Sequence, residues 1–339
     1  MPTISRLAAA AVFSVVSLLA PTTSASTPAY APVDQPGPAL TPSAAQLAAA
    51  VVCSGDFHNG KEPVLLVPGT AFTYESQFSW SWAAALTRSG IPWCAVSPPY
   101  DQLGDVAVAG EYDVYAIRHT YHLAGNRKIA IVGHSQGGAQ PRWALRFWPD
   151  TRAMVADMVG VAPANHGAVL VGGLTSACSI TGVVGVAPCP PAIWQLQPQA
   201  AFVAALNSGQ QTFAGIDYTV IYSTNDGLVL PTDTPLVPVA GAGYSRISLQ
   251  SICPGAVITH LQNGATDPET WALVMDAITH AGPASAGRIS RSVCGGVTLP
   301  GMDPLAVVEH AALAVVQIAT AVANGPRAAH EPALPSYVY

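Results

Sequence analysis

Short runs of apolar residues recur through the middle of the chain, and each run is continuous rather than alternating. Such runs are typical of strands buried on both faces of a parallel sheet. They predict strands at 64–67, 93–96, 129–132, 158–162 and 218–222. Segments with helical patterns lie between them, at 79–87, 110–123 and 136–147. The alternation predicts an α/β fold with a mainly parallel central sheet flanked by helices.

The first 25 residues have the organisation of a secretory signal peptide. Arg6 supplies a positive charge, and an uncharged, mainly apolar stretch follows at 7–20. That stretch is shorter than the ~20 residues that a membrane-spanning helix needs. Small residues before Ala25 and Ala31 give two candidate cleavage sites. We therefore predict a secreted protein with a signal peptide at 1–25, the alternative being an uncleaved anchor.

Composition narrows the class of protein and its partners. Half of the 339 residues are hydrophobic, only 9% are charged, and the net charge is −6. This balance excludes the basic surface that nucleic-acid binding needs and the high charge of disordered chains. Residues 26–45 are rich in Pro and Ala and lack periodicity. We predict an N-terminal arm there, one folded domain at 46–339, and a monomer.

A serine lies where a predicted strand meets a predicted helix. Residues 133–137 read Gly-His-Ser-Gln-Gly and directly follow the strand at 129–132. This sequence in this setting is typical of a nucleophile elbow, in which glycines permit a tight turn that exposes the serine hydroxyl. The pattern therefore predicts Ser135 as the nucleophile of a hydrolase.

A serine nucleophile needs a histidine base and an acid that orients it, and in such folds the chain order is serine, acid, histidine. His260 follows the apolar run at 256–259, which predicts a loop at a strand end, where these sheets expose catalytic groups. His280 and His310 lie in helical patterns, so we interpret them as packing or surface residues. His260 is the predicted base.

The acid must lie between Ser135 and His260, where the chain has no glutamate. The candidates are Asp150, Asp157, Asp217, Asp226 and Asp233. Asp226 comes just after the strand predicted at 218–222, so it is the predicted acid. The alternative interpretation of this residue is an ordinary Asn-Asp-Gly turn.

An oxyanion hole needs donors from two places in the chain. The strand at 64–67 runs through a Pro-Gly turn into Thr70, beside the strand that carries Ser135. The backbone N–H of Thr70, together with its hydroxyl, and the N–H of Gln136 would point at one developing oxyanion. We predict Thr70 and Gln136 as the oxyanion-hole residues.

Together these motifs resemble the Candida antarctica lipase B-like family of α/β-hydrolases. The similarity extends from about residue 45 to about residue 337, and the matching segments are 65–70, 97–99, 135–138, 161–163, 222–226, 258–260 and the tail motif at 331–334. The resemblance implies the α/β-hydrolase fold, with a lid or cap segment. It implies the same site residues as the motifs do: Ser135, Asp226, His260, Thr70 and Gln136.

The resemblance also implies how the six cysteines pair, which export would allow to form disulfides. The implied pairs are Cys53–Cys94, Cys253–Cys294 and, from the two that remain, Cys178–Cys189. The last pair lies in an enlarged segment at 171–191, where relatives carry a short mobile helix over the active site. This segment is therefore predicted to be a lid-like insertion. We expect no metal and no cofactor.

Two features go beyond the resemblance. His134 stands where the family has tryptophan, and we interpret it as a residue that packs or lines the pocket rather than as a second base. Residues 304–323 form an almost wholly apolar helical pattern. This pattern indicates either a packing helix or an apolar wall of the substrate entrance, exposed to lipid–water interfaces.

The sequence thus predicts a secreted serine ester hydrolase, a lipase or carboxylesterase, acting on hydrophobic esters or lipids through an acyl-enzyme. One alternative is a secreted acyltransferase or polyesterase, which would share every catalytic residue. An alternative of a different class is a catalytically inactive hydrolase fold that serves as a binding module.

Overall fold

Seven strands form the central sheet of the computed structural model, which describes residues 29–168 and 188–339. In chain order the strands are β1 (Val51–Ser54), β2 (Val64–Val67), β3 (Trp93–Val96), β4 (Ile129–His134), β5 (Val155–Val161), β6 (Asp217–Tyr222) and β7 (Gly243–Ser248). Their order across the sheet is β1-β3-β2-β4-β5-β6-β7. β1 runs antiparallel to β3, and the other neighbouring pairs are parallel. The predicted mainly parallel sheet is confirmed.

Helices pack on both faces of the sheet. In chain order they are α1 (Ala44–Ala49), α2 (Tyr74–Gln77), α3 (Trp82–Arg88), α4 (Val106–Leu123), α5 (Gln136–Ala139), α6 (Pro141–Phe147), α7 (Pro191–Gln195), α8 (Ala201–Leu206), α9 (Leu249–Ile252), α10 (His260–Ala265), α11 (Pro268–Thr279) and α12 (Pro304–Asn324). The predicted helix at 136–147 is divided into α5 and α6 at Gln140.

Two hydrophobic cores lie on opposite faces of the sheet, and β2 shows how the sequence builds them. Leu65 and Val67 point into the core formed with α4 and α6, whereas Val64 and Leu66 point into the core formed with α3 and α11. Successive side chains of a strand alternate between its faces. Because both faces of β2 are covered, all four of its residues are buried and the strand reads as a continuous apolar run.

The chain before the sheet lies against the domain. The N–H of Ala31 donates to the carbonyl of Val338 near the end of the chain, and the indole N–H of Trp148 donates to the carbonyl of Pro38. Both described disulfides tie elements to the sheet or its neighbours: Cys53 is bonded to Cys94, and Cys253 to Cys294.

Two predicted features lie outside the described residues. The signal peptide expected at 1–25 precedes residue 29, and most of the lid-like insertion expected at 171–191 falls between 168 and 188. The expected Cys178–Cys189 pair includes a cysteine from this second segment and is therefore outside the description.

The last long helix, α12, is largely exposed. Ala321 is its buried residue, whereas Leu305, Val308 and Val315 are each at least 66% exposed. The interpretation of this helix as a buried element is therefore wrong, although one side of it packs on the domain through Ala321, Ile318 and Val322. Its most apolar window has a mean hydropathy of 1.8, enough by length and composition alone for a membrane span.

Candidate active site

Ser135 occupies a sharp turn between β4 and α5. Its φ of 58° and ψ of −120° lie in a region that residues with a side chain rarely adopt. The turn brings the end of β4 onto the start of α5, so that a Cβ at Gly133 would overlap the carbonyl oxygen of Gly137. A Cβ at Gly137 would in turn overlap the carbonyl of Val67 in β2. Both glycines are needed for this geometry, which is that of a nucleophile elbow.

Asp226 and His260 are joined directly. The Nδ1 atom of His260 lies 2.8 Å from Oδ1 and 2.9 Å from Oδ2 of Asp226. A carboxylate accepts hydrogen bonds, so Nδ1 carries the proton and Nε2 keeps its lone pair. The backbone joins the same two residues, because the N–H of His260 donates to the carbonyl of Asp226 at 3.0 Å.

The environment of Asp226 keeps its carboxylate ionised. Burial by itself would raise the pKa of this carboxyl, but the hydrogen bond and charge of His260 and the backbone N–H groups of Val229 and Leu228 outweigh it. The pKa of Asp226 therefore lies below its ordinary value. Its Oδ1 accepts from Val229 at 2.7 Å and from Leu228 at 3.1 Å. An anion held in this way orients the imidazole and stabilises its protonated form.

His134, the residue before the serine, is buried and hydrogen-bonded on both ring nitrogens. Its Nε2 donates to the carbonyl oxygen of His260 at 3.1 Å, and its Nδ1 accepts from Nε2 of Gln77 at 2.9 Å. Burial, followed by the charge of His260, lowers the pKa of His134 to about 3. His134 is thus a neutral ring of fixed tautomer, which matches its predicted packing role and excludes it as a base near neutral pH.

Gln77 links three parts of the site. Its Oε1 accepts from the N–H of Gly69, next to Thr70, at 2.9 Å. Its Nε2 donates to His134 and also to the carbonyl of Gly264 in α10, at 3.2 Å. The turn before Thr70, the end of β4 and the helix that begins with His260 are therefore held together by one buried amide.

Thr70 and Gln136 lie next to each other, and Thr70 lines the same cavity as Ser135. The Thr70 hydroxyl donates to Oε1 of Gln136 at 2.7 Å. Within the described residues, the backbone N–H groups of Thr70 and Gln136 have no protein acceptor. The N–H of Gln136 lies at the start of α5, where unpaired N–H groups favour a negative charge.

Ser135, His260 and Thr70 line one cavity of about 110 Å³, which is mainly apolar. Ile318 and Val322 of α12 form part of its wall. No direct hydrogen bond joins Ser135 to His260 in the described part of the chain. Such bonds are often long in unliganded hydrolases and shorten when substrate binds.

A larger cavity of about 380 Å³ lies beside the first, and the two share Phe72 and Leu261 in their walls. His310 of α12 lines the larger cavity and stacks on Trp80 at 4.1 Å between ring centroids. Because α12 borders both cavities, the interpretation of 304–323 as a wall of the substrate entrance fits the structure.

The other candidate residues lie away from this cavity. His280 ends α11 and faces Asp276 at the surface. Asp150 pairs with Arg118, Asp233 caps a short 3₁₀ turn, and Asp157 and Asp217 lie at the opposite end of the sheet. Residues 256–259 do not form the strand that was expected before His260, which instead begins α10 after a turn. His260 still reaches the cavity because Asp226 holds it by backbone and side chain.

Comparison with known proteins identifies the family. Lipase B of Pseudozyma antarctica is 30% identical over 305 residues, which cover 88% of this chain and 86% of that protein. The chain belongs to the lipase B family. It is therefore an ester hydrolase of the lipase or esterase type, and the resemblance found in its motifs is confirmed.

Solved structures agree with this assignment. The crystal structure of Aspergillus fumigatus lipase B matches with a TM-score of 0.78 and 30% identity, over 92% of this chain and 77% of that one. A Bacillus licheniformis lipase in its propeptide form matches at a TM-score of 0.53 and 15% identity, over 69% of this chain and 55% of that one. This second likeness shows the fold alone. The α/β-hydrolase fold is confirmed, although no family model matches the chain.

Three polar residues near the site were missed by the sequence analysis: Gln77, Gln140 and Asp113. None belongs to a recognisable motif, and Gln77 contacts residues 57 and 187 positions away. Burial of a polar side chain is visible only once the fold is known.

Proposed function

We propose that this protein is a secreted lipase or carboxylesterase that cleaves hydrophobic esters with Ser135, His260 and Asp226 as its catalytic triad. The observation that carries the proposal is the hydrogen bond that Nδ1 of His260 donates to the two carboxylate oxygens of Asp226, with His260 and Ser135 lining the same cavity. That bond leaves Nε2 of His260 as the free base on the side of the serine.

In the proposed mechanism, Nε2 of His260 takes the proton of Ser135 as its Oγ attacks the ester carbonyl. The backbone N–H groups of Thr70 and Gln136, with the Thr70 hydroxyl, stabilise the oxyanion. His260 then protonates the leaving alcohol, and an acyl-enzyme remains on Ser135. Water, activated by the same histidine, releases the acid. Asp226 stabilises the imidazolium throughout.

The surroundings of the site favour apolar substrates. The smaller cavity is lined by Phe72, Leu228 and Ile318 among other apolar side chains, and the exposed helix α12 borders its entrance. We propose that α12 presents an apolar surface to lipid–water interfaces. The lipase names of the relatives support this substrate class.

The test is hydrolysis of p-nitrophenyl esters from short to long acyl chains, with and without an emulsion. Ser135→Ala and His260→Ala should each lower kcat by roughly 10⁴–10⁶-fold, and the double variant should be hardly worse because the residues act as a unit. If Ser135→Ala keeps a tenth of the activity, the nucleophile is wrongly assigned. Lack of labelling by a fluorophosphonate would favour an inactive binding module. Faster transfer to alcohols than to water would favour an acyltransferase.

A further inference from the structure

A series of buried side-chain hydrogen bonds leads from Thr70 into the protein core. The Thr70 hydroxyl donates to Oε1 of Gln136 at 2.7 Å. Nε2 of Gln136 donates to Oε1 of Gln140 at 2.9 Å, and Nε2 of Gln140 donates to Oδ2 of Asp113 at 3.0 Å. Gln136, Gln140 and Asp113 are each fully buried, so bulk water does not compete for these bonds.

Asp113, at the inner end of this series, is a buried acid that is poorly solvated. It lies on α4 with no exposed surface, and within the described residues its Oδ1 has no hydrogen-bond partner. Burial outweighs the hydrogen bond from Gln140 and raises the pKa of Asp113 to about 8. An unpaired buried anion is unfavourable, so the carboxyl is protonated near neutral pH.

The protonation state of Asp113 determines which side chain donates and which accepts at every step of this hydrogen-bond series. An amide presents oxygen and nitrogen at interchangeable positions, because rotation of its end group by 180° exchanges them. When Asp113 is ionised it only accepts, which requires Gln140 to donate to it, Gln136 to donate to Gln140, and Thr70 to donate to Gln136. The Thr70 hydroxyl then donates to Gln136 and is not available to a substrate.

When Asp113 is protonated, its O–H is a donor and the opposite direction becomes available. Asp113 then donates to Gln140, Gln140 to Gln136, and Gln136 to the Thr70 oxygen. This arrangement gives the acid proton a partner that it otherwise lacks. It also frees the Thr70 hydroxyl to donate elsewhere. Nε2 of Gln136 also lies 3.4 Å from Oε1 of Gln102, a weak contact that favours the arrangement in which Thr70 donates to Gln136. The opposite arrangement therefore depends on the proton of Asp113.

We propose that Asp113, acting through Gln140 and Gln136, is a positioning residue that determines whether the Thr70 hydroxyl is available to the oxyanion. This inference rests on the proposed function, because it assumes that Thr70 faces the oxyanion formed on attack by Ser135. With Asp113 protonated, the oxyanion has three donors: the N–H groups of Thr70 and Gln136 and the Thr70 hydroxyl. With Asp113 ionised, only the two N–H groups remain.

No other charge competes for control of Asp113 in the described part of the molecule. Its pKa is affected by burial and by Gln140, and by no charged group. The elements packed against α4 carry titratable groups that are engaged elsewhere: Arg142 with Asn165 and Asn207, Arg146 with Ser208, Asp150 with Arg118, Arg152 with Asp34, and His134 with Gln77. On α4 itself, Glu111 accepts from Thr41.

The test is the dependence of kcat on pH between about pH 6 and about pH 10, with one soluble p-nitrophenyl ester. The wild type should lose about tenfold in kcat as pH rises through about 8, because the hydroxyl must give up one hydrogen bond to reach the oxyanion. Asp113→Asn can donate or accept at any pH, so its kcat should not fall on the alkaline side. Gln140→Leu interrupts the hydrogen-bond series and should also remove the fall.

Thr70→Val identifies the route of the effect. It should lower kcat by about 10²-fold at neutral pH, as loss of an oxyanion donor does, and should show no alkaline fall. Adding Asp113→Asn to Thr70→Val should then change nothing further. An alkaline fall that persists in Asp113→Asn, or in Thr70→Val, would overturn the proposal. Loss of activity in Ser135→Ala is independent of this result, so failure of the hydrogen-bond series and failure of the proposed triad are distinguishable.

Discussion

The two ends of the sheet hold buried carboxyl groups in opposite chemical settings. At the carboxyl end, Asp226 is 5% exposed and accepts from His260, Val229 and Leu228, and its pKa is lowered. At the amino end, Asp157 is 6% exposed. Burial, followed by the charges of Glu62 and Asp217, raises its pKa to about 8.

Equal burial with opposite pKa shifts shows that hydrogen-bond donors and neighbouring charges, rather than burial alone, decide the charge state of the two carboxyl groups. Asp226 has three donors directed at it, whereas within the described residues one oxygen of Asp157 and one of Glu62 are buried without a partner. The pKa of Glu62 is raised to about 7, mainly by burial. The donors at the carboxyl end keep Asp226 ionised and fixed in position for the proposed chemistry. The acids at the amino end lack such donors.

An aspartate-to-asparagine substitution at each end of the sheet should separate a catalytic role from a structural one. Asp226→Asn should lower kcat by about 10⁴-fold, because an amide no longer requires the proton of His260 to be on Nδ1. Asp157→Asn, the matched control at equal burial, should leave kcat within about twofold. The measurement is kcat for a p-nitrophenyl ester near neutral pH. A similar loss in both variants would mean that Asp226 acts by supporting the fold and not the base.

The amino end should instead contribute to the pH dependence of stability. Between about pH 4 and about pH 8, Asp157 is protonated in the folded protein and ionised in the unfolded chain, so the folded state binds more protons. The free energy of unfolding should therefore fall as pH rises through this window. Asp157→Asn should remove its own part of the fall and stabilise the protein by up to a few kcal/mol above about pH 8, while Asp113 and Glu62, whose pKa values are also raised, keep the remainder.

Denaturant unfolding at several pH values checks this expectation. Asp150→Asn is the control, because this carboxyl is exposed and paired with Arg118. It should leave the pH dependence as it is in the wild type. A wild-type stability that rises between pH 5 and pH 8 would contradict the unpaired state assigned to the amino end.

The strands that could be predicted from the sequence are those buried on both faces, because their burial gives a continuous run of apolar residues. The strands at 64–67 and 93–96 were predicted with their observed bounds because both faces are covered and the apolar run is continuous. The edge strands β1 and β7 were missed because their residues are partly exposed and β7 contains Arg and Ser. β7 has no continuous apolar run, and that of β1 continues from the alanines of α1, so neither has the pattern of a strand buried on both faces.

For the candidate site, the Gly-His-Ser-Gln-Gly motif indicated Ser135, and chain order together with positions after predicted strands indicated Asp226 and His260; the fold brings all three to one end of the sheet. Their catalytic roles stay predictions. The supporting amides were not predictable, because nothing near Gln77 or Gln140 in the chain distinguishes them from surface glutamines. Only tertiary contacts place Gln77 between the turn before Thr70, His134 and α10.

Substitution of Gln77 should weaken the hydrogen bonds that support the site at the carboxyl end of the sheet, without changing a proposed catalytic residue. Gln77→Leu leaves the N–H of Gly69 and Nδ1 of His134 without partners, so the turn before Thr70 and the backbone of His260 lose their common support. We expect kcat to fall roughly tenfold to a hundredfold, with KM changed less. Gln195→Leu is the matched control: Gln195 is also fully buried and bonded at both ends of its amide, to Val106 and Asp105. It should cost similar stability and spare kcat. Equal kcat losses in the two variants would mean that Gln77 supports the fold in general and not the site.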